Sequence, residues 1–412
     1  MRKTVLISAY DVSPFKGSES ATGWNIPYEM AKYSRNDKFL VVTRENNAHD
    51  INQFCEQQSE GVPENIKFIY FDLPSWARFW KRGARGAFLY YYLWQFSVAF
   101  YILRNNIKCD VYHSLNFHCN WCPSFLWVPS RFYRAKFYWG PINHNELVPR
   151  QVIFQYGFKP FIKDRVTWLI KLVFWYCDPF IYLCKWNADL IFVGNALVSK
   201  RLRLQSEKVI ELDQVASSAR YIEKENAGKS TFKFLIIARA LPIKNILLTL
   251  DAFVEFYKTN RTAQLTLVGL SQSNTRDIVH HKFKDYLEQG AIVDFGWVDF
   301  RKMDSVYHDH DCVVFCSFEG AGLTIAESLL YGCSLICLSN YGPGRYLNHA
   351  GIKKIIYKSN DVFVQDLSSA MQSICESTSS ESKTIHPSEI ARYGNEKFTW
   401  RSKAISILEN YF

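Results

Sequence analysis

At 412 residues, 48% hydrophobic and 21% charged, the chain is long enough for two globular domains of about 200 residues each, and no stretch is polar enough to stay disordered. Its 11 cysteines are odd in number, and the lone CxxC pair, Cys119 and Cys122, has no second pair, so reduced structural thiols are expected rather than a disulfide framework or zinc. The net charge of +10 comes without any nucleic-acid-binding motif, which argues against a nucleic-acid partner.

The opening MRKTVLISAYDVSP has an apolar run too short for a signal peptide and no small-residue cleavage site, so it reads as the first strand, residues 4–9, of a cytoplasmic domain. A turn-rich loop follows through Gly17, Ser18 and Glu19 into a helix over about 21–33. Gly17 and Ser18 therefore stand where a helix N-terminus can meet an anion or a sugar, although the same residues also make an ordinary strand-to-helix turn. Strands are expected at 39–43, 66–71, 109–113 and 135–139, the third ending in His113. Between 73 and 145 the only acid is Asp110, against Arg78, Lys81, Arg82, Arg85, Arg104, Lys108, Arg131, Arg134 and Lys136. Cations mixed with aromatic residues suit either an anionic membrane surface or a plain solvated basic face. Residues 87–103 approach the length of a membrane span but fall short of about 18–20 residues and contain Gln95 and Ser97, so a buried or membrane-contacting helix is expected.

A strand at 190–193 and a helix at 195–204 lead into a polar linker, 213–230, and a second alternating series begins at 232–238. Strands alternating with helices indicate doubly wound parallel sheets, whose ligands meet the carboxyl ends of the strands. Two Rossmann-like halves result: 1–213, 214–391, and a C-terminal helix over 392–412 expected to return to the first half. In the second half a buried strand over 312–317 ends in Glu319-Gly320-Ala321-Gly322 and a helix from Leu323 to Leu330 that carries Glu327. Strand, glycine turn and helix place free N–H groups and the positive end of a helix dipole together, which is an anion site. Two carboxylates would repel a phosphate set between them, so they fit hydroxyls at either end of a diphosphate, as in a nucleotide-sugar. Arg239 and Lys244, on either side of a strand-to-helix connection, supply the countercharge such a leaving group needs. Asp309-His310-Asp311 has the look of a metal triplet, but Asp311 leads directly into the strand, and no metal is expected there.

With these residues in view, the chain resembles the retaining GT-B glycosyltransferases of family 4, the group 1 enzymes. The resemblance rests on Arg239 with Lys244, the Glu319 to Glu327 motif, Gly296 in Asp294-Phe295-Gly296-Trp297-Val298, Gly17-Ser18-Glu19, Asp110-Val111-Tyr112-His113, Trp139-Gly140-Pro141 and Phe398-Thr399-Trp400. It implies an α/β GT-B fold, with two Rossmann-like domains facing a central cleft, and a metal-independent hexosyltransferase without cofactor. Arg239 and Lys244 would hold the diphosphate of a UDP- or GDP-sugar, Glu319 the donor sugar and Glu327 the ribose. The amides of Gly320, Ala321, Gly322 and Leu323 would serve sugar and phosphate, residues near Gly296 and Val298 the base, Gly17 and Ser18 the phosphate end, and His113 the transferred sugar.

Three departures bear on acceptor and sugar preference: Ser18 replaces the second glycine of a common pair, Leu115 stands where a second histidine is frequent, and Arg345 where an acid is common. The expected reaction is front-face transfer to a glycan, with the basic aromatic region pointing to a lipid-linked bacterial surface-polysaccharide intermediate such as O-antigen, capsule or lipopolysaccharide. The enzyme would then be cytoplasmic and peripheral on the plasma membrane. The rival readings are an epimerase-like or phosphorylase-like enzyme on the same fold, or an inactive scaffold; a phosphorylase would need a pyridoxal-binding lysine motif that the sequence lacks.

Overall fold

The computed structural model describes residues 2–57, 62–81, 86–116, 121–214, 216–223, 231–379 and 385–411. Arg82, Arg85, His118 and Cys119 lie outside the described residues, as does the side chain of Ser18. The chain divides into two α/β units, the first made of residues 1–144, 170–214 and 400–412, the second of 145–169 and 215–399. One boundary between the units falls at 214/215, within the polar stretch 213–230. Two assignments differ from the sequence reading. Residues 145–169 belong to the second unit, and the boundary at 169/170 falls inside the helix Phe158–Cys177. The tail is two helices: Pro387–Lys397, which packs on Leu323–Leu330 in the second unit, and Trp400–Leu408, which packs on Ser18–Tyr33 in the first.

The first unit is a parallel sheet of seven strands, β1 (Thr4–Ser8), β2 (Lys38–Thr43), β3 (Ile66–Tyr70), β4 (Val111–Ser114), β5 (Lys136–Ile142), β6 (Leu190–Val193) and β7 (Val209–Glu211), in the order β3-β2-β1-β4-β5-β6-β7. Helices cover both faces, so central strands such as Val5-Leu6-Ile7 are fully buried and read as continuous apolar runs rather than alternations. Ile7, His113 and Tyr138 are aligned across β1, β4 and β5.

The second unit is a parallel sheet of six, β8 (Lys233–Ile237), β9 (Gln264–Val268), β10 (Ile292–Asp294), β11 (Cys312–Phe315), β12 (Ser334–Leu338) and β13 (Ile352–Ile355), ordered β10-β9-β8-β11-β12-β13. The chain winds outward from β8, then returns to β11 beside it and winds the other way. The loops after β8 and β11 therefore leave their sheet in opposite directions and open a crevice at its carboxyl edge. Both units have the two-way winding expected from the sequence, and the fold is α/β with two Rossmann-like domains.

Candidate active site

In the second unit the crevice between β8 and β11 collects most of the residues singled out in the sequence. Past β8 the chain turns through a single 3₁₀ turn, Pro242–Lys244, which Pro242 opens with its fixed φ. Past β11 the next loop docks onto that turn, with the Phe318 N–H and the Ser317 hydroxyl both donating to the Ile243 carbonyl, at 2.9 and 3.1 Å. This brings the Lys244 ammonium 2.6 Å from a Glu319 carboxylate oxygen, with the side chains only 14% and 16% exposed. Removing either member of so enclosed a pair strands a charge, which costs about 3–5 kcal/mol.

The Glu319 loop then closes into the helix Leu323–Leu330. Gly320 donates to the Asn145 side chain at 2.8 Å, whereas the N–H groups of Ala321, Gly322, Leu323 and Thr324 have no acceptor among the described residues. Gly322 packs so closely that a Cβ there would meet the Phe315 ring at 2.3 Å. Arg239 is exposed, and its guanidinium has no ion-pair partner among the described residues. Among the described residues the crevice thus offers one paired cation, one unpaired cation and a row of free amides at a helix N-terminus.

Glu327 lies one turn into that helix and accepts a 2.6 Å hydrogen bond from the Tyr307 hydroxyl. The Tyr307 ring, fully buried, stacks on Tyr331 with centroids 4.9 Å apart, and the Tyr331 hydroxyl bonds Asp304. Burial raises the Glu327 carboxyl above its ordinary range, the Tyr307 bond pulls it back, and Asp304 adds to the rise. Beyond β10, Asp294 takes hydrogen bonds from Arg276 (2.8 Å), His280 (2.7 Å) and the Gly296 N–H (2.8 Å). Burial opposes ionisation of Asp294, but these donors outweigh it and hold the carboxyl below its ordinary range. The same bonds fix the turn at Gly296, whose φ of +62° favours glycine, and leave Trp297 73% exposed beside the half-buried Val298. Tyr307, Asp304, Asn145 and Arg276 were invisible in the sequence: Tyr307 and Asp304 share the helix Met303–His308, Asn145 and Arg276 lie on other segments, and no local spacing ties any of them to the Glu319 turn or to Glu327.

The first unit places its candidates differently. Gly17 is the N-cap of Ser18–Tyr33, and the cap carries no side-chain hydrogen bond. His113 is fully buried on β4: one ring nitrogen lies 2.6 Å from the Gly140 carbonyl and the other bonds the Tyr411 hydroxyl. Its ring has no free polar atom to offer a sugar, which differs from the sequence expectation. The cause is the C-terminal segment, which lays Tyr411 against Tyr138 with rings stacked at 5.1 Å. The Asp309-His310-Asp311 triplet is likewise tied into the fold, His310 to the Val306 carbonyl and the Thr266 hydroxyl at 2.6 and 2.8 Å, and Asp311 to the Lys233 N–H at 2.9 Å.

Residues 217–390, which hold the crevice, match the family model described as Glycosyl transferases group 1. No curated protein sequence matches the chain at a significant level. Among solved structures, a glycosyltransferase from Rickettsia africae superposes with a TM-score of 0.63 at 14% identity, covering 100% of this chain and 98% of that one. HepE from Anabaena, solved with UDP, gives 0.61 at 15% identity and covers 99% of each chain. The lipopolysaccharide outer core galactosyltransferase WaaB gives 0.60 at 13% identity, over 99% of this chain and 100% of that one. At these identities the likeness is one of fold, and the fold is that of GT-B glycosyltransferases.

Proposed function

We propose that the chain is a retaining, group 1 glycosyltransferase of family 4 type, moving a hexose-type sugar from a UDP- or GDP-sugar to a glycan hydroxyl. The observation that carries this reading is the enclosed Lys244–Glu319 pair, set beside free helix amides at the carboxyl edge where β8 and β11 part. A nucleoside diphosphate gives Lys244 a second anionic partner, and it gives Arg239 its first. Lys244 and Arg239 then neutralise the charge that grows on the leaving diphosphate as the glycosidic bond breaks, so the countercharge comes from side chains and amides rather than from a metal ion. Glu319, released from Lys244, accepts hydroxyl protons of the donor sugar. Glu327, oriented by Tyr307, accepts from the ribose, and the turn at Gly296 to Val298 lies against the base.

In front-face transfer the bond from the anomeric carbon to the phosphate oxygen breaks and the bond to the acceptor oxygen forms on the same face. The acceptor's proton passes to the leaving phosphate oxygen. The proposed acceptor is a lipid-linked bacterial surface-polysaccharide intermediate, handled on the cytoplasmic face of an anionic membrane; WaaB, named for lipopolysaccharide, is one fold neighbour in support.

A thermal-shift panel of UDP, GDP, ADP and their sugars tests the reading, because a ligand at a hundred times its Kd adds about 2.7 kcal/mol to the native state. One base class should raise Tm in the native protein and lose most of the shift in Arg239→Ala. No shift with any nucleotide at millimolar concentration overturns the assignment.

A further inference from the structure

The helix Ala87–Arg104 contains no acid, and it buries one side only. Tyr90, Tyr91, Trp94, Val98 and Ile102 face the first unit's core, while Leu89, Phe96 and Phe100 stand 58%, 42% and 57% exposed. Phe100 and Phe96 are neighbours at 4.8 Å, Phe96 meets Phe125 at 5.2 Å, and Phe125 meets Phe180 at 5.2 Å. These contacts make a row of rings that runs from this helix, through Phe125, which is itself only 2% exposed, to the acid-free helix Pro179–Asn187, where Phe180 and Trp186 are again exposed, Trp186 at 65%. The Tyr92 hydroxyl, donating to Asp178 at 3.0 Å, ties the first helix to the N-cap of the second. Two groups of exposed apolar side chains, Leu89, Phe96 and Phe100 on one helix and Phe180 and Trp186 on the other, thus stand on either side of a buried ring, and exposed apolar side chains gathered in this way mark an interaction site.

Cations border the row at one end. The short helix Trp127–Tyr133 joins both long ones, through Arg131 to the Asn187 carbonyl at 2.6 Å and Tyr133 to Asn106 at 3.5 Å. It ends in exposed Arg131, Phe132 and Arg134, with Lys136 following; Lys108 lies over the Tyr133 ring at 6.0 Å, and exposed Arg104 stands one turn beyond Phe100 at the end of its own helix. Against these stand Asp189, which pairs with Lys136 at 3.6 Å and Arg131 at 4.0 Å, and Asp110. The border keeps a positive excess. No single helix among the described residues is long and apolar enough to cross a membrane; Phe158–Cys177 and Pro179–Asn187 pass that test only jointly, bent by 59°.

We infer that this face of the first unit lies on an anionic phospholipid bilayer, its exposed phenylalanines entering the boundary between headgroups and acyl chains while Arg104, Arg131 and Arg134 meet the phosphates. Trp186 and Phe132 occupy the interfacial depth that aromatic side chains prefer. The inference gives a location to the membrane partner of the proposed function, and it rests on that reading only for its purpose. It is measured without sugar transfer, so the two fail separately.

The test is sedimentation with sucrose-loaded vesicles of phosphatidylcholine alone or with one third phosphatidylglycerol. The native protein should bind the anionic vesicles at least tenfold more tightly. Phe96→Ser with Phe100→Ser should weaken that binding about a hundredfold, and Arg104→Gln with Arg134→Gln about tenfold and chiefly at low salt. Both double variants alter exposed side chains and should keep the native Tm; Leu89→Ser provides a third, single-site check if either falls. Equal binding to both vesicle types, or binding unchanged by the phenylalanine pair, overturns the inference. So does a dimer in sedimentation velocity that the same pair dissolves, with no vesicle binding, since the row would then join two copies of the chain.

Discussion

The surroundings of His113 predict its protonation state and, from that, an acid-dependent weakness in the first unit. A carbonyl can only accept, so the ring nitrogen 2.6 Å from the Gly140 oxygen carries the proton and the other nitrogen accepts from the Tyr411 hydroxyl, which burial keeps protonated. The imidazole is therefore neutral, and burial lowers its pKa from 6.5 to about 4, against a smaller opposing pull from the Gly140 carbonyl. A folded pKa below the unfolded one gives stability that is complete above pH 6.5 and is lost as the pH falls through 4. Over that window the loss is about 3 kcal/mol, of which about 2.5 kcal/mol is gone by roughly pH 4.5. His113→Phe removes the titration but strands the Gly140 carbonyl and the Tyr411 hydroxyl, at about 1–3 kcal/mol each. The variant should thus be clearly weaker than the native chain near neutral pH and much closer to it near pH 4.5. Hydrogen exchange of peptides covering β4 and β5 reads this locally, and the difference between the two proteins cancels the other titrating groups, including buried His144. If native and variant keep a constant gap across the window, the buried neutral imidazole is wrong. If the variant loses sugar transfer with exchange unchanged, the ring acts on substrate instead.

How much was legible in advance divides along physical lines. Parallel strands buried on both faces leave uninterrupted apolar runs, so β6 and the helix Leu323–Leu330 were placed residue for residue and most of the other strands named from sequence to within one or two. The short edge strand β7, half exposed, and β13, with Lys353 and Lys354 inside it, carry no such run and were missed. At the candidate site, Lys244 and Glu319 could be assigned to one crevice from sequence because each lies in a strand-to-helix loop and a doubly wound sheet sends such loops to one edge, but their direct ion pair could not. The Tyr307 bond to Glu327 could not, for it joins two helices across an intervening strand and follows no sequence period. His113 illustrates the reverse: a histidine at a strand end has the right address for a ligand, but residues nearly three hundred positions later cover it. Long-range side-chain contacts of that kind leave no trace in local pattern.

Lys244→Met should abolish transfer, and it should destabilise the second unit by about 3 kcal/mol through the stranded Glu319 carboxylate; restoring stability with Glu319→Gln in the same chain, but not activity, is the expected double-variant result, and additive losses would count against a coupled pair. Gly322→Ala should cost at least about 1–3 kcal/mol, since its methyl would meet the Phe315 ring, and Phe315→Leu in the same chain should recover part of it in a urea melt. The last expectation concerns Glu327. Its folded pKa is raised, so the stability it lends is complete below its unfolded value of 4.5 and is lost as the pH rises through the folded one. Nucleotide binding through the ribose asks for the opposite, an ionised carboxylate that accepts hydroxyl protons. Tyr307 reconciles the two by donating to one carboxylate oxygen, which favours the ionised form and leaves the other oxygen available. Tyr307→Phe should therefore move the acid limb of nucleotide affinity to higher pH, with binding recovered fully only above it, while Glu327→Gln should abolish the limb altogether. An acid limb at the same pH in native and Tyr307→Phe proteins would mean that Glu327 is not the group whose ionisation binding requires.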